Sequence, residues 1–122
     1  MGRLDGRTAV VTGAAHGDRA ALGVVYAKAL AAEGAKVVVA DVKDTSDVAA
    51  EIIADGGDAL ALSVDVTDEA QVNELMAKTV DHFGSLEVLI NNAAIGSNIP
   101  QIPVTEMSVE DWDALMAVNV RG

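Results

Sequence analysis

A parallel α/β sheet in three layers is the fold class the sequence predicts, on three observations. Short β-branched apolar runs alternate with helical segments along the whole chain. The runs are apolar throughout, without the in/out alternation of a half-solvated sheet, which suits strands covered on both faces. Bulk comes from Val, Ile, Leu and Ala, since one Trp, one Tyr and one Phe are all the aromatics in 122 residues. That composition favours helices packed closely on a strand-rich centre over an aromatic-rich sandwich.

The elements follow in order. Thr8 to Thr12 (TAVVT), bounded by glycine, reads as the first strand and leads into a glycine-bearing loop. Val24 to Glu33 is an alanine-rich helix stopped by Gly34. Lys36 to Ala40 (KVVVA) is a second strand closing on Asp41. Asp47 to Ala54 places Val48, Ile52 and Ile53 at helical spacing before Gly56-Gly57, and Ala59 to Val64 is a third strand. Thr67 is placed to cap the next helix, with Asp68 and Glu69 in its first turn and an inward stripe of Val72, Leu75, Met76, Val80 and Phe83 before Gly84. Leu86 to Ile90 (LEVLI) is a fourth strand, followed by a loop holding Asn91-Asn92, Gly96, Pro100 and Pro103. The last helix starts at Ser108, with Asp111 completing a capping box and Trp112, Leu115, Met116 and Asn119 along one face.

Right-handed crossovers between such strands give the order 3-2-1-4 of a doubly wound sheet. Residues 1–122 are read as one partial domain. LEVLI would form its open edge, and it carries neither Lys nor Pro to protect it. The chain by itself is therefore expected to be marginally stable or to self-associate.

Composition narrows the function. Apolar residues at 51% against 22% charged exclude a disordered tail, and the absence of Cys excludes disulfides and thiolate metal sites. Asp and Glu number 19 against 8 Lys and Arg, a formal charge of −11 with no basic run, which argues against nucleic acid and anionic membrane as partners. No apolar run approaches the ~20 residues of a membrane span and no signal-peptide core is present, so a cytoplasmic location is expected. His16 and His82 lack partners at metal-binding spacing, so no metal is expected.

Thr12-Gly13-Ala14-Ala15-His16-Gly17 follows the first strand and precedes the first helix. Glycines there let the backbone turn tightly and approach a diphosphate while the helix aims its free N–H groups at it. A tight turn without a ligand is the bland alternative. Asp41 ends the second strand, where a carboxylate can accept bonds from both hydroxyls of an adenosine ribose and repel a 2′-phosphate, favouring NAD over NADP. An ordinary strand-end turn residue is its alternative. Asp65 follows the third strand, with helix capping as its alternative.

These residues resemble the short-chain dehydrogenases/reductases, whose first turn reads T-G-x-x-x-G-x-G. Thr12, Gly13 and Gly17 match, and the final pair stands at Leu22-Gly23, as though Asp18-Arg19-Ala20-Ala21 were inserted. The insertion is expected to bulge out, leaving the Leu22 amide against the diphosphate and Arg19 as a counter-charge. His16 stands where NADP-preferring relatives often carry Arg or Lys, and is read as a loop residue. Asp65-Val66 resembles the family's adenine-binding pair. Asn91-Asn92-Ala93-Ala94 resembles its N-N-A-G motif, which implies Asn92 against the cofactor and Asn91 holding the sheet. Asn119 in VNVRG matches the helix-borne Asn of the catalytic tetrad, with a packing polar as its alternative.

The resemblance spans nearly the whole chain. It implies a Rossmann-like fold and an oxidoreductase moving hydride between a nicotinamide and a small alcohol or carbonyl substrate, homo-oligomeric when complete. Cofactor contacts are implied at Gly13, Ala15, Gly17, Leu22, Gly23, Asp41, Asp65, Val66 and Asn92. The family's Ser and its Tyr-x-x-x-Lys are not in this chain: the only tyrosine is Tyr26, followed four residues on by Leu30. The reading is thus of a nucleotide-binding half that is catalytically incomplete by itself. Two alternatives stand beside it: a receiver-type phosphoacceptor domain using Asp65, against which Thr12-Gly13 replaces the acidic pair Mg²⁺ would need, and a non-catalytic cofactor-binding module.

Overall fold

The computed structural model describes residues 2–17, 21–96 and 101–122. The inserted Asp18, Arg19 and Ala20 lie outside the described residues, and so does the bulge expected there. Among the described residues there are four parallel strands: β1 (Thr8–Thr12), β2 (Lys36–Asp41), β3 (Asp58–Ser63) and β4 (Val88–Ile90). Their order is β3-β2-β1-β4, as expected. Helices α1 (Leu22–Ala32), α2 (Ser46–Ala54), α3 (Glu69–Phe83) and α4 (Val109–Met116) alternate with them or follow, and a π-helical stretch, Ala117–Arg121, extends α4.

The period of two in β1 and β2 divides the core between the faces of the sheet. Ala9, Val11, Val37 and Val39 meet Val24 and Ala27 of α1 and Val48, Ala49 and Ile52 of α2. Val10, Val38 and Ala40 meet Leu75 of α3 on the other face. All five residues of β1 are buried.

Several boundaries differ from expectation, each for a local reason. α3 is capped by Asp68, not Thr67. The Asp68 carboxylate accepts from the Ala70 and Gln71 amides at 3.0 and 3.3 Å, while Thr67 is engaged with Asp65. The inward stripe of α3 contains Thr79 in place of Val80, which is 45% exposed. Thr79 is tolerated because its hydroxyl donates to the Leu75 carbonyl at 2.7 Å. β4 runs from Val88; before it, the Glu87 amide donates to the Thr8 carbonyl at 3.0 Å and its carboxylate accepts the Thr8 amide at 2.7 Å. In α4 the Ser108 hydroxyl accepts from the Asp111 amide at 3.1 Å, yet no residue of the helix is buried. The expected inward face is therefore not formed: Trp112 is 46% exposed and Met116 is exposed as well.

Candidate functional site

The carboxyl ends of the parallel strands converge, as open α/β sheets place their ligand crevices. Gly13 after β1, Asp41 at the end of β2 and Asp65-Val66 after β3 line one cleft of about 120 Å³, with Val42, Ala93, Ala94, Ile95 and Val118. A larger hollow of about 660 Å³ lies on the α3 side of β4, lined by Met76, Leu89 and Asn91 among others, and of the predicted cofactor residues it touches only Val66.

The turn after β1 is shaped by close backbone approach. Gly13 has φ +67, and a Cβ on it would stand 2.9 Å from the Ala93 Cα. A Cβ on Gly23 would stand 2.2 Å from the Gly13 carbonyl oxygen, so the start of α1 is drawn directly against the turn. At Gly17, by contrast, a Cβ would meet no atom of the described residues within 4 Å. The first amides of a helix lack intrahelical acceptors, and Leu22 and Gly23 carry the first two of α1. Glycine turn and helix N-terminus together suit a diphosphate.

Thr12 and Asn92 hold this arrangement. The Thr12 hydroxyl accepts the Asn92 and Ala93 amides, each at 3.1 Å. The Asn92 side-chain amide donates to the Thr12 and Gly13 carbonyls at 3.1 and 3.2 Å. The bracing expected of Asn91 thus falls to Asn92, while Asn91 is exposed. No non-glycine residue among those described has positive φ, so Ala94 replaces the motif's glycine without backbone strain.

One Asp41 carboxylate oxygen accepts the Lys43 amide at 3.0 Å, and the group is half-buried at the cleft. Asp65 accepts from the Thr67 hydroxyl and amide at 2.6 and 2.9 Å. Those bonds, the hydroxyl's first, hold its pKa below the usual carboxylate range. An ionised acceptor is therefore fixed at the cleft. Ala15 is buried in the turn. Asn119 lies in the π-helical stretch and makes a reciprocal pair with the Ile95 backbone, accepting from its amide at 2.8 Å and donating to its carbonyl at 2.9 Å.

The sequence reading missed Ile95 and Val118, and it missed Glu51 of α2, which meets His16 at 2.8 Å. Nothing local announces a partner 35 residues away. His16, Asp47 and Glu51 bring ligand-type atoms within 4.8 Å of one another, a grouping that spacing did not reveal. The Lys28 ammonium is paired with Glu51 there.

A parallel three-layer fold with a glycine turn and strand-end acids at one cleft defines a protein of the dinucleotide-binding α/β class. The order β3-β2-β1-β4 disfavours the receiver-type alternative, whose flavodoxin-like sheet places the third strand beside the first. A family model described as short chain dehydrogenase matches residues 7–122, and the chain belongs to that family. It is 40% identical over 122 residues to a sorbitol dehydrogenase of Cereibacter sphaeroides, covering 98% of this chain and 44% of that protein. Among solved structures it resembles a short chain dehydrogenase from Mycobacterium smegmatis, with TM-score 0.89 and 33% identity over 99% of this chain and 49% of that one. A metagenomic short-chain oxidoreductase in complex with NADP matches with TM-score 0.84 and 33% identity over 97% of this chain and 52% of that one. The chain thus spans about half the length of the relatives it matches. Among the described residues no helix is long and apolar enough to cross a membrane.

Proposed function

We propose that this chain is the nucleotide-binding part of an oxidoreductase that takes NAD in preference to NADP and acts on a small alcohol or carbonyl compound. The observation that carries the reading is the meeting of Gly13, Asp41, Asp65 and Val66 at one cleft. When bound, the dinucleotide supplies a nicotinamide that accepts or donates hydride. The amides of the Gly13 to Gly17 turn and of Leu22 and Gly23 would hold its diphosphate. Asp41 would accept from the adenosine ribose, and Asp65 and the Val66 amide would take the adenine edge. Asn92 serves this site by fixing the turn through the Thr12 and Gly13 carbonyls.

Asn119 is proposed as the relay residue of the complete protein, positioned by its pair with Ile95. The acid/base that proton transfer at a carbonyl needs is proposed to come from residues outside these 122. A homo-oligomer, a cytoplasmic location and the absence of nucleic-acid partners belong to the same reading.

NAD preference is tested by calorimetric titration of the wild-type chain and Asp41→Asn with NAD and with NADP. The wild type is expected to bind NAD more tightly. Asp41→Asn should lose about tenfold of that preference, about 1.4 kcal/mol, because its neutral amide no longer repels a 2′-phosphate. Tighter binding of NADP by the wild type would contradict the reading.

A further inference from the structure

We infer that Glu51 is a positioning residue for the diphosphate turn, acting through His16 and Lys28; the inference rests on the dinucleotide reading above. Glu51 stands on α2, outside the cleft. One of its oxygens meets His16 Nε2 at 2.8 Å, and the other is paired with the Lys28 ammonium. His16 belongs to the turn leaving β1, whereas Lys28 belongs to α1, the helix into which the turn leads. A single carboxylate therefore ties both sides of the turn to a third element.

The bonds are exposed, so their worth lies in restricting the turn more than in global stability. Ordering a loop before its ligand arrives removes part of the conformational cost of binding. Asp47 of α2 also faces His16 in this group. Lys28, and after it His16, holds the Glu51 pKa below its ordinary value, so the Glu51 carboxylate is ionised at neutral pH.

Charge and positioning predict opposite signs for Glu51→Gln. Removing a negative charge from the neighbourhood of an anion site would, by charge alone, tighten diphosphate binding. Loosening the turn weakens it.

The experiment titrates the wild-type chain and Glu51→Gln with NAD, ADP and adenosine, following adenosine by NMR shifts. Glu51→Gln is expected to bind NAD and ADP about threefold to fivefold more weakly, the range of surface ion pairs, with adenosine affinity unchanged. Amide hydrogen exchange without ligand should become faster at Ala15, His16 and Gly17. Equal or tighter binding of NAD and ADP by the variant overturns the inference and leaves the dinucleotide reading standing. Equal weakening of adenosine, or unchanged exchange in the turn, also overturns it, since either shows general damage or no restraint. Failure of the wild type to bind NAD and ADP at all overturns both.

Discussion

The β1-β2 centre of the molecule and its β4-α4 side are built from similar amino acids but packed differently. Around β1 and β2 every strand residue but the two ends of β2 is buried, and both faces carry helices. On the β4 side Leu89 is 41% exposed and α4 buries nothing. The glycine turn after β1 and Asp41 belong to the first region, and Asn119 to the second. The proposed cofactor site is thus attached to a packed scaffold, whereas Asn119, the proposed relay residue, lies on the side that buries less and pairs with the Ile95 backbone. Exposed apolar groups on such a side mark a surface suited to burial against something else.

The contrast is broken most strongly by deleting bulk. Ile52, on the inner face of α2 and 2% exposed, should cost about 2–5 kcal/mol as Ile52→Ala, by lost burial plus the cavity left behind. Trp112→Ala on α4 should cost under about 1 kcal/mol despite removing the larger side chain, because that side chain buries little. Urea unfolding of both variants decides it, and equal losses would show that α4 is packed as firmly as the centre.

Gly13→Ala comes next. Its left-handed backbone and the 2.9 Å approach to Ala93 predict a loss of about 1–3 kcal/mol, with NAD affinity falling by more than adenosine affinity. Titration of both ligands against the folded variant measures the split.

A smaller effect follows acid. The Thr8 amide, and after it the Ser85 side chain, holds the Glu87 pKa below its ordinary value of 4.5. A depressed carboxylate pKa adds stability that is present above the unfolded value and lost as pH falls through the folded one. Glu87→Gln should therefore be the less stable protein at pH 7 and converge with the wild type as pH drops below about 4. Urea midpoints across that range check it; a constant gap between the two proteins would contradict the linkage.

The scaffold was largely legible in the sequence because it depends on local signals. Glycine-bounded apolar runs marked β1 and β2, and the order of the sheet follows from how such units connect. That Gly13, Asp41 and Asp65 meet at one cleft was legible because strand ends are where parallel sheets bind ligands, and Val66 was reached through the family's adenine-binding pair. What escaped depends on three-dimensional choice. Asp68 and Thr67 can each cap a helix, and the competition turned on Asp65 capturing Thr67. Thr79 replaced Val80 in the stripe because a hydroxyl can satisfy itself on the preceding turn. Apolar residues of α4 at helical spacing predicted a buried face, but periodicity records what a helix can cover, not whether a neighbour is present. The Glu51 tie joins residues far apart in the chain, and no spacing rule reaches that far.

Amide-resolved NMR of the chain titrated with NAD tests the central claim most directly. The account predicts shifts concentrated at Gly13, Ala15, Gly17, Leu22, Gly23, Asp41 and Val66, with Met76 and Leu89 of the larger hollow little changed. Shifts centred on that hollow, with the turn and Asp41 undisturbed, would contradict it.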